Sequence, residues 1–194
     1  TTGTWDSTLP AGELKMIGGA SWSNSITSTD SMIDGSGNII GIEFKPQSAS
    51  TFYMIGLIDK TSRTYIDSAA KYNEMSYVVY LKNGSFQIFE GEGNTIALYK
   101  GHFSSYDVGA TIRIVINDNN QVEYYVNDCL RYTSQISPTY PLHVQAVFDT
   151  TNSHITNIRW VKKQTPAPVS TWTPGYQDCP SNISGSTLGQ SSTP

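Results

Sequence analysis

Charged residues are scarce in this chain, making up 14% of 194 residues against about 25% in a typical soluble domain. Twelve Lys and Arg stand against sixteen Asp and Glu, a net charge of −4, and no basic run occurs. A nucleic-acid partner is therefore not expected, because phosphate recognition rests on clustered positive charge. Long apolar runs are missing too. The longest are a few residues, too short for a membrane-spanning helix, so no membrane insertion is expected. Two cysteines, Cys129 and Cys179, are too few for a disulfide scaffold or a zinc site built on cysteines. The chain opens at Thr1 with no leader-like segment, which reads as an already processed protein.

Helix-shaped periodicity is almost absent, and what replaces it is a train of short alternating runs separated by turn residues. Thr111 to Ile116, then Asn117-Asp118-Asn119-Asn120, then Val122 to Val126 reads as strand, turn, strand. Further strands are expected at Leu14 to Ile17 and around Trp22, at Ile39 to Lys45, Phe52 to Ile58, Tyr77 to Leu81 and Phe86 to Glu90. Ile96 to Tyr99, Leu130 to Thr133, Leu142 to Phe148 and Ile155 to Val161 complete the set. Asn83-Gly84 is a strong hairpin signal between two of them. Ala69 to Met75 has room for one helical turn. Ten or more strands with short turns predict an all-β, two-sheet antiparallel jelly-roll sandwich.

The pattern changes at Gln164. Pro166, Pro168, Pro174, Pro180 and Pro194 are interleaved with Ser and Thr, and Asp178 is the only charge beyond that point. The reading is a β-sandwich domain over 1–163 and a Ser/Thr/Pro-rich tail or linker over 164–194. Low charge, abundant Tyr, Ser, Thr and Asn, and sequons at Asn83 and Asn182 suggest a secreted or surface-displayed glycoprotein. In that setting a Cys129–Cys179 disulfide would clip the tail to the domain, and closing a loop of about fifty residues would contribute ~4 kcal/mol. The alternative is two unpaired thiols.

The hairpin Tyr77-Val78-Val79-Tyr80-Leu81-Lys82-Asn83-Gly84-Ser85-Phe86-Gln87-Ile88-Phe89-Glu90-Gly91 resembles a recurrent hairpin of concanavalin A-like lectin/glucanase domains. Tyr106 to Ile114, followed by Val122-Glu123-Tyr124-Tyr125-Val126-Asn127-Asp128, is similar to the sandwich centre of laminin-G-like and SPRY-like members. Asn127-Asp128 stands where Asn-Gly would be usual. Ile17-Gly18-Gly19-Ala20-Ser21-Trp22-Ser23-Asn24 is also similar to the start of such domains. The resemblance spans Leu14 to Val161. It implies a jelly roll whose members bind glycans or proteins, cleave polysaccharides or build surfaces.

Several constellations bear on chemistry. Glycosidases of this fold carry three acids at alternate strand positions, and Glu90-Gly91-Glu92 is a partial match that reads as a turn. A lyase would need an Arg, a His or Gln and a Tyr on one sheet. His143 and Gln145 share one face of their strand, and Arg113, Glu123 and Tyr125 share one face of theirs. The bland reading of both is a solvated outer face, and no catalytic residues are assigned.

Glycan binding is the sharper expectation, since sugar C–H faces stack on aromatic rings while amides and carboxylates bond the hydroxyls. The connection from Asp59 to Glu74 offers Arg63, Tyr65, Asp67, Tyr72, Asn73 and Glu74, with Trp22 and Asn24 as a second group. Calcium is a secondary expectation through Asp59, Asp67, Asp118, Asn119 or Asp128. No other cofactor is expected. The functional expectation is a non-catalytic extracellular recognition or adhesion module whose partner is a glycan or glycoprotein. The alternative is a structural subunit self-assembling through its C-terminal tail, and a polysaccharide-active enzyme comes third.

Overall fold

A computed structural model describes residues 4–5, 8–28, 37–59, 70–91 and 97–163. Arg63, Tyr65, Asp67, Cys179, Asn182 and the 164–194 segment lie outside the described residues, so expectations about them, the disulfide and tail-mediated assembly included, stay there. Among the described residues the chain forms two antiparallel sheets and one 3-10 turn. The strands are β1 (Thr4–Trp5), β2 (Leu14–Gly18), β3 (Ser25–Thr27), β4 (Ile39–Pro46), β5 (Phe52–Asp59), β6 (Tyr77–Lys82) and β7 (Ser85–Glu90). They continue with β8 (Leu98–Ser105), β9 (Ile112–Ile116), β10 (Val122–Val126), β11 (Cys129–Thr133), β12 (Leu142–Phe148) and β13 (His154–Lys162).

One sheet has seven strands in the order β1-β2-β13-β4-β9-β10-β11, and the other has six in the order β3-β12-β5-β6-β7-β8. Their facing sides make the main core. Ile42, Phe44, Ile112, Ile114, Val122, Tyr124 and Ile155 come from the larger sheet. Tyr53, Ile55, Leu57, Tyr77, Val79, Leu81, Phe86, Ile88 and Phe148 come from the smaller one. Period-2 alternation sets which side chains go in.

Turn chemistry fixes the registers. Asn83 (φ 48°) and Gly84 (φ 75°) are both left-handed, as a two-residue hairpin twisting with its strands requires. Asn127 (φ 49°) and Asp128 (φ 63°) close the β10–β11 hairpin in the same way, so Asp fills the place usually given to Gly. Asn127 Oδ1 also accepts the Thr111 N–H at 2.9 Å. In β13 the run Ile155-Thr156-Asn157-Ile158-Arg159-Trp160 breaks alternation. A bulge between Thr156 and Arg159, with Asn157 at φ 53°, lets Ile155, Ile158 and Trp160 all pack against the core.

Two expectations about elements change. Trp22 sits in a turn rather than a strand, and β3 follows it at Ser25. The strand expected to end at Tyr99 instead runs Leu98–Ser105, because its register against β7 steps over Lys100 and Phe103 and so keeps the pairing going past Gly101. The single helical turn expected within Ala69 to Met75 forms at Lys71–Glu74. In mid-strand, a Cβ at Gly56 would run into the carbonyl of Tyr77 on β6. Gly56→Ala is therefore expected to cost about 1–3 kcal/mol through backbone displacement. Urea denaturation checks this, and an unchanged midpoint would contradict it.

Candidate functional site

The outer side of the six-stranded sheet carries an aromatic surface. Register places Ser25, Val147, Met54, Tyr80, Gln87 and His102 in one cross-strand row. Thr27, Gln145, Gly56, Val78, Phe89 and Tyr99 form the next. Met54, Val78 and Val147 are buried there together with Met75, which makes a second, smaller core on the face opposite the main one. Trp22, Tyr72, Tyr80 and Phe89 pack against it while keeping part of their surface open.

The rings are continuous. Trp22 meets Tyr72 at 5.4 Å and Tyr80 at 5.5 Å, both edge to face. Tyr80 lies 5.9 Å from Phe89, and Phe89 lies 5.3 Å from Tyr99, which is 54% exposed. Edge-to-face contacts of this kind hold rings at fixed angles and leave other faces available to a ligand.

Two segments are clasped to hold the surface. Ser21 N–H donates to the Phe148 carbonyl at 3.0 Å, and Lys71 N–H donates to the Trp22 carbonyl at 2.7 Å. Asn24 Nδ2 donates to the Gly19 carbonyl at 2.7 Å, and Lys71 Nζ pairs with Glu74 Oε1 at 2.7 Å. Trp22 N–H faces the Asp149 carboxylate, whose pKa burial raises against that bond's pull. Burial, with Asp149 and Tyr72 adding to it, raises the pKa of the Tyr80 phenol, which therefore remains a neutral donor through neutral pH. Gln87 and His102, set across from each other beside the rings, supply an amide and an imidazole.

The structure thus brings together Trp22 and Tyr72, which sequence reasoning placed in separate groups. Asn24 bonds the Gly19 carbonyl of its own turn, Glu74 pairs with Lys71, and Asn73 sits in the 3-10 turn with Glu74. Tyr80, Phe89, Tyr99, Gln87 and His102 were missed. Their signal was the second apolar phase of the β6–β7 hairpin, where Val78, Tyr80 and Phe89 interrupt what should be a polar side.

No protein-family model matches the chain, and no curated protein matches its sequence. Solved structures with a similar fold include the PSpry domain of TRIM65, at 8% identity, 82% of this chain, 84% of that one and a TM-score of 0.50. Others are the carbohydrate-binding module CBM66 from Bacillus subtilis (14%, 79% and 87%, 0.42) and the galectin LEC-6 from Caenorhabditis elegans (11%, 73% and 99%, 0.44). The fold is concanavalin A-like. At these identities the likeness is one of fold alone.

The other outer face of this concanavalin A-like sandwich is a lattice of paired charges. Arg159 donates twice to Glu43 Oε1, at 2.9 and 2.6 Å. Arg113 lies 5.4 Å from the Tyr125 ring centroid and pairs with Asp128. Tyr125 hydroxyl donates to Glu123 at 2.6 Å, and burial together with this bond pushes its pKa up to about 12. Arg113 and Tyr125 therefore lie on the opposite sheet from His143 and Gln145, so the four do not converge. Glu90 points into the core, where its carboxylate accepts the Tyr124 hydroxyl at 2.9 Å. Asp59 is buried, Asp118 and Asn119 lie in the β9–β10 turn, and Asp128 lies in the β10–β11 turn. Among the described residues no three His, Cys, Asp or Glu converge as a metal site would need.

Proposed function

We propose that the chain is a non-catalytic recognition module that binds carbohydrate on the aromatic outer face of its six-stranded sheet. The observation that carries this reading is the five-ring surface running from Tyr72 through Trp22, Tyr80 and Phe89 to Tyr99. A sheet face exposed to water would ordinarily be polar, and this one instead supports a second apolar core topped by rings. Rings bearing hydroxyls, with Gln87 and His102 at hand, match an amphipathic ligand that has C–H faces and a hydroxylated edge. A glycan fits that description better than an ion or a purely apolar molecule. Proteins of similar fold include a carbohydrate-binding module and a galectin, which agrees with this assignment without adding weight to it.

The assignment extends to an extracellular setting, with Asn83 exposed at its hairpin tip as a glycosylation acceptor and Cys129 bridged to Cys179. The test is affinity electrophoresis of the full chain through gels containing soluble polysaccharides, with and without EDTA. Retardation by at least one neutral polysaccharide is the expected result. Uniform mobility across a broad panel would contradict the proposal, and retardation lost in EDTA would add calcium to it.

A further inference from the structure

A second, chemically different notch opens where β9 turns into β10. It encloses about 180 Å³ between this turn, the start of β4, Tyr140 and Lys163. That volume holds about six water molecules at liquid density, the scale of one small ring rather than a chain. Ile39, Ile40 and Ile116 give it apolar walls, whereas Asp118, Asn120 and Lys163 contribute polar atoms.

The turn is rigid for a local reason. Asn117 Oδ1 accepts the N–H groups of Asn119 and Gln121 at 2.9 and 3.0 Å, and its Nδ2 donates to Glu123 at 2.8 Å. Asn120, at φ 59°, is presented from a left-handed backbone that Asn tolerates. Its Oδ1 accepts the Tyr140 hydroxyl at 2.7 Å, which fixes the amide and leaves both Nδ2 protons as donors. Asp118 Oδ1 pairs with Lys163 Nζ at 2.5 Å across the opening. Both side chains are mostly exposed, so the pair is weak and ligand hydroxyls can insert at little cost.

We propose that this notch is a second ligand site, taking a single neutral polyol unit such as one hexose ring. Asp118 accepts from its hydroxyls, Asn120 Nδ2 and Lys163 donate to them, and Tyr140 with the isoleucines covers its C–H face. The site shares no residue with the aromatic sheet face, so the two can fail separately.

The test is amide and side-chain chemical-shift mapping of the full chain titrated with D-glucose, D-galactose, D-mannose or D-fructose, each up to about 50 mM. Inorganic phosphate and glycine serve as ionic probes. At least one sugar is expected to shift Asp118, Asn120 and Tyr140 together. Asn120→Asp keeps the acceptor for Tyr140 and suits the backbone but removes the donors, and Asp118→Ala removes the carboxylate. Each is expected to weaken the response about tenfold or more, while Leu130→Ala on β11 leaves it unchanged. Shifts at the notch with none on the sheet face would support this site and count against the aromatic one. No shift at the notch with any sugar, or shifts that follow only phosphate or glycine, would overturn the proposal.

Discussion

Replacing Tyr99 with alanine is expected to weaken glycan binding about 30-fold, roughly 2 kcal/mol, as loss of an aromatic anchor does at a binding surface. Thermal stability should stay within about a degree. The separation follows from burial: Tyr99 is 54% exposed and touches the surface through Phe89 at 5.3 Å. Truncating so exposed a side chain usually changes stability by no more than about 0.5 kcal/mol. Trp22→Ala would lower binding too. It would be a poorer test, because Trp22 also covers Met54, Met75, Val78 and Val147, and the fold would loosen with it. Isothermal titration with a retained oligosaccharide, run beside a melt, reads both numbers. Unchanged affinity in Tyr99→Ala would remove that end of the surface from the site.

The second large effect concerns the core. Tyr124→Phe is expected to destabilise the sandwich by about 1–3 kcal/mol, because it takes one of the hydrogen-bond donors from a buried Glu90. Burial raises the Glu90 pKa, and the Tyr124 hydroxyl is among the groups that pull it back. The sign of the pH dependence follows. A raised folded-state pKa means the folded chain keeps a proton that the unfolded chain gives up. Its contribution is complete below the unfolded glutamate value, near ~4.3, and is lost as pH rises through the folded one. Glu90→Gln, which preserves an acceptor for Tyr124 and cannot ionise, is expected to flatten this slope and to exceed wild type at neutral pH. Urea midpoints measured over a pH series decide it. A slope unchanged by Glu90→Gln would mean that other groups carry it.

Much of the sandwich was legible because antiparallel strands write their burial as alternation. Val122 to Val126 matches its strand end for end, and Asn83-Gly84 marks a two-residue hairpin. What alternation could not assign is a strand covered on both sides. In β6, Tyr77, Val79 and Leu81 enter the main core, while Val78 packs in the second core and Tyr80 packs against it. The sequence there is apolar at nearly every position, so the outward phase that includes Tyr80 is hard to separate from the inward one. Glu90 shows the converse. A carboxylate beside two glycines looks like a turn, yet its register with Phe86 and Ile88 aims it inward. Trp22 sits in a turn where its sequence neighbourhood suggests a strand, because the backbone bonds that hold the turn come from Phe148 and Lys71, far along the chain.

The most direct test of the central claim is a glycan array probed in parallel with the wild-type chain and a Tyr80→Ala/Tyr99→Ala double variant, each verified as folded. The account predicts selective binding by the wild type to at least one glycan class and its loss across that class in the double variant. Equal binding by both proteins, or none by the wild type, would contradict recognition on the aromatic face.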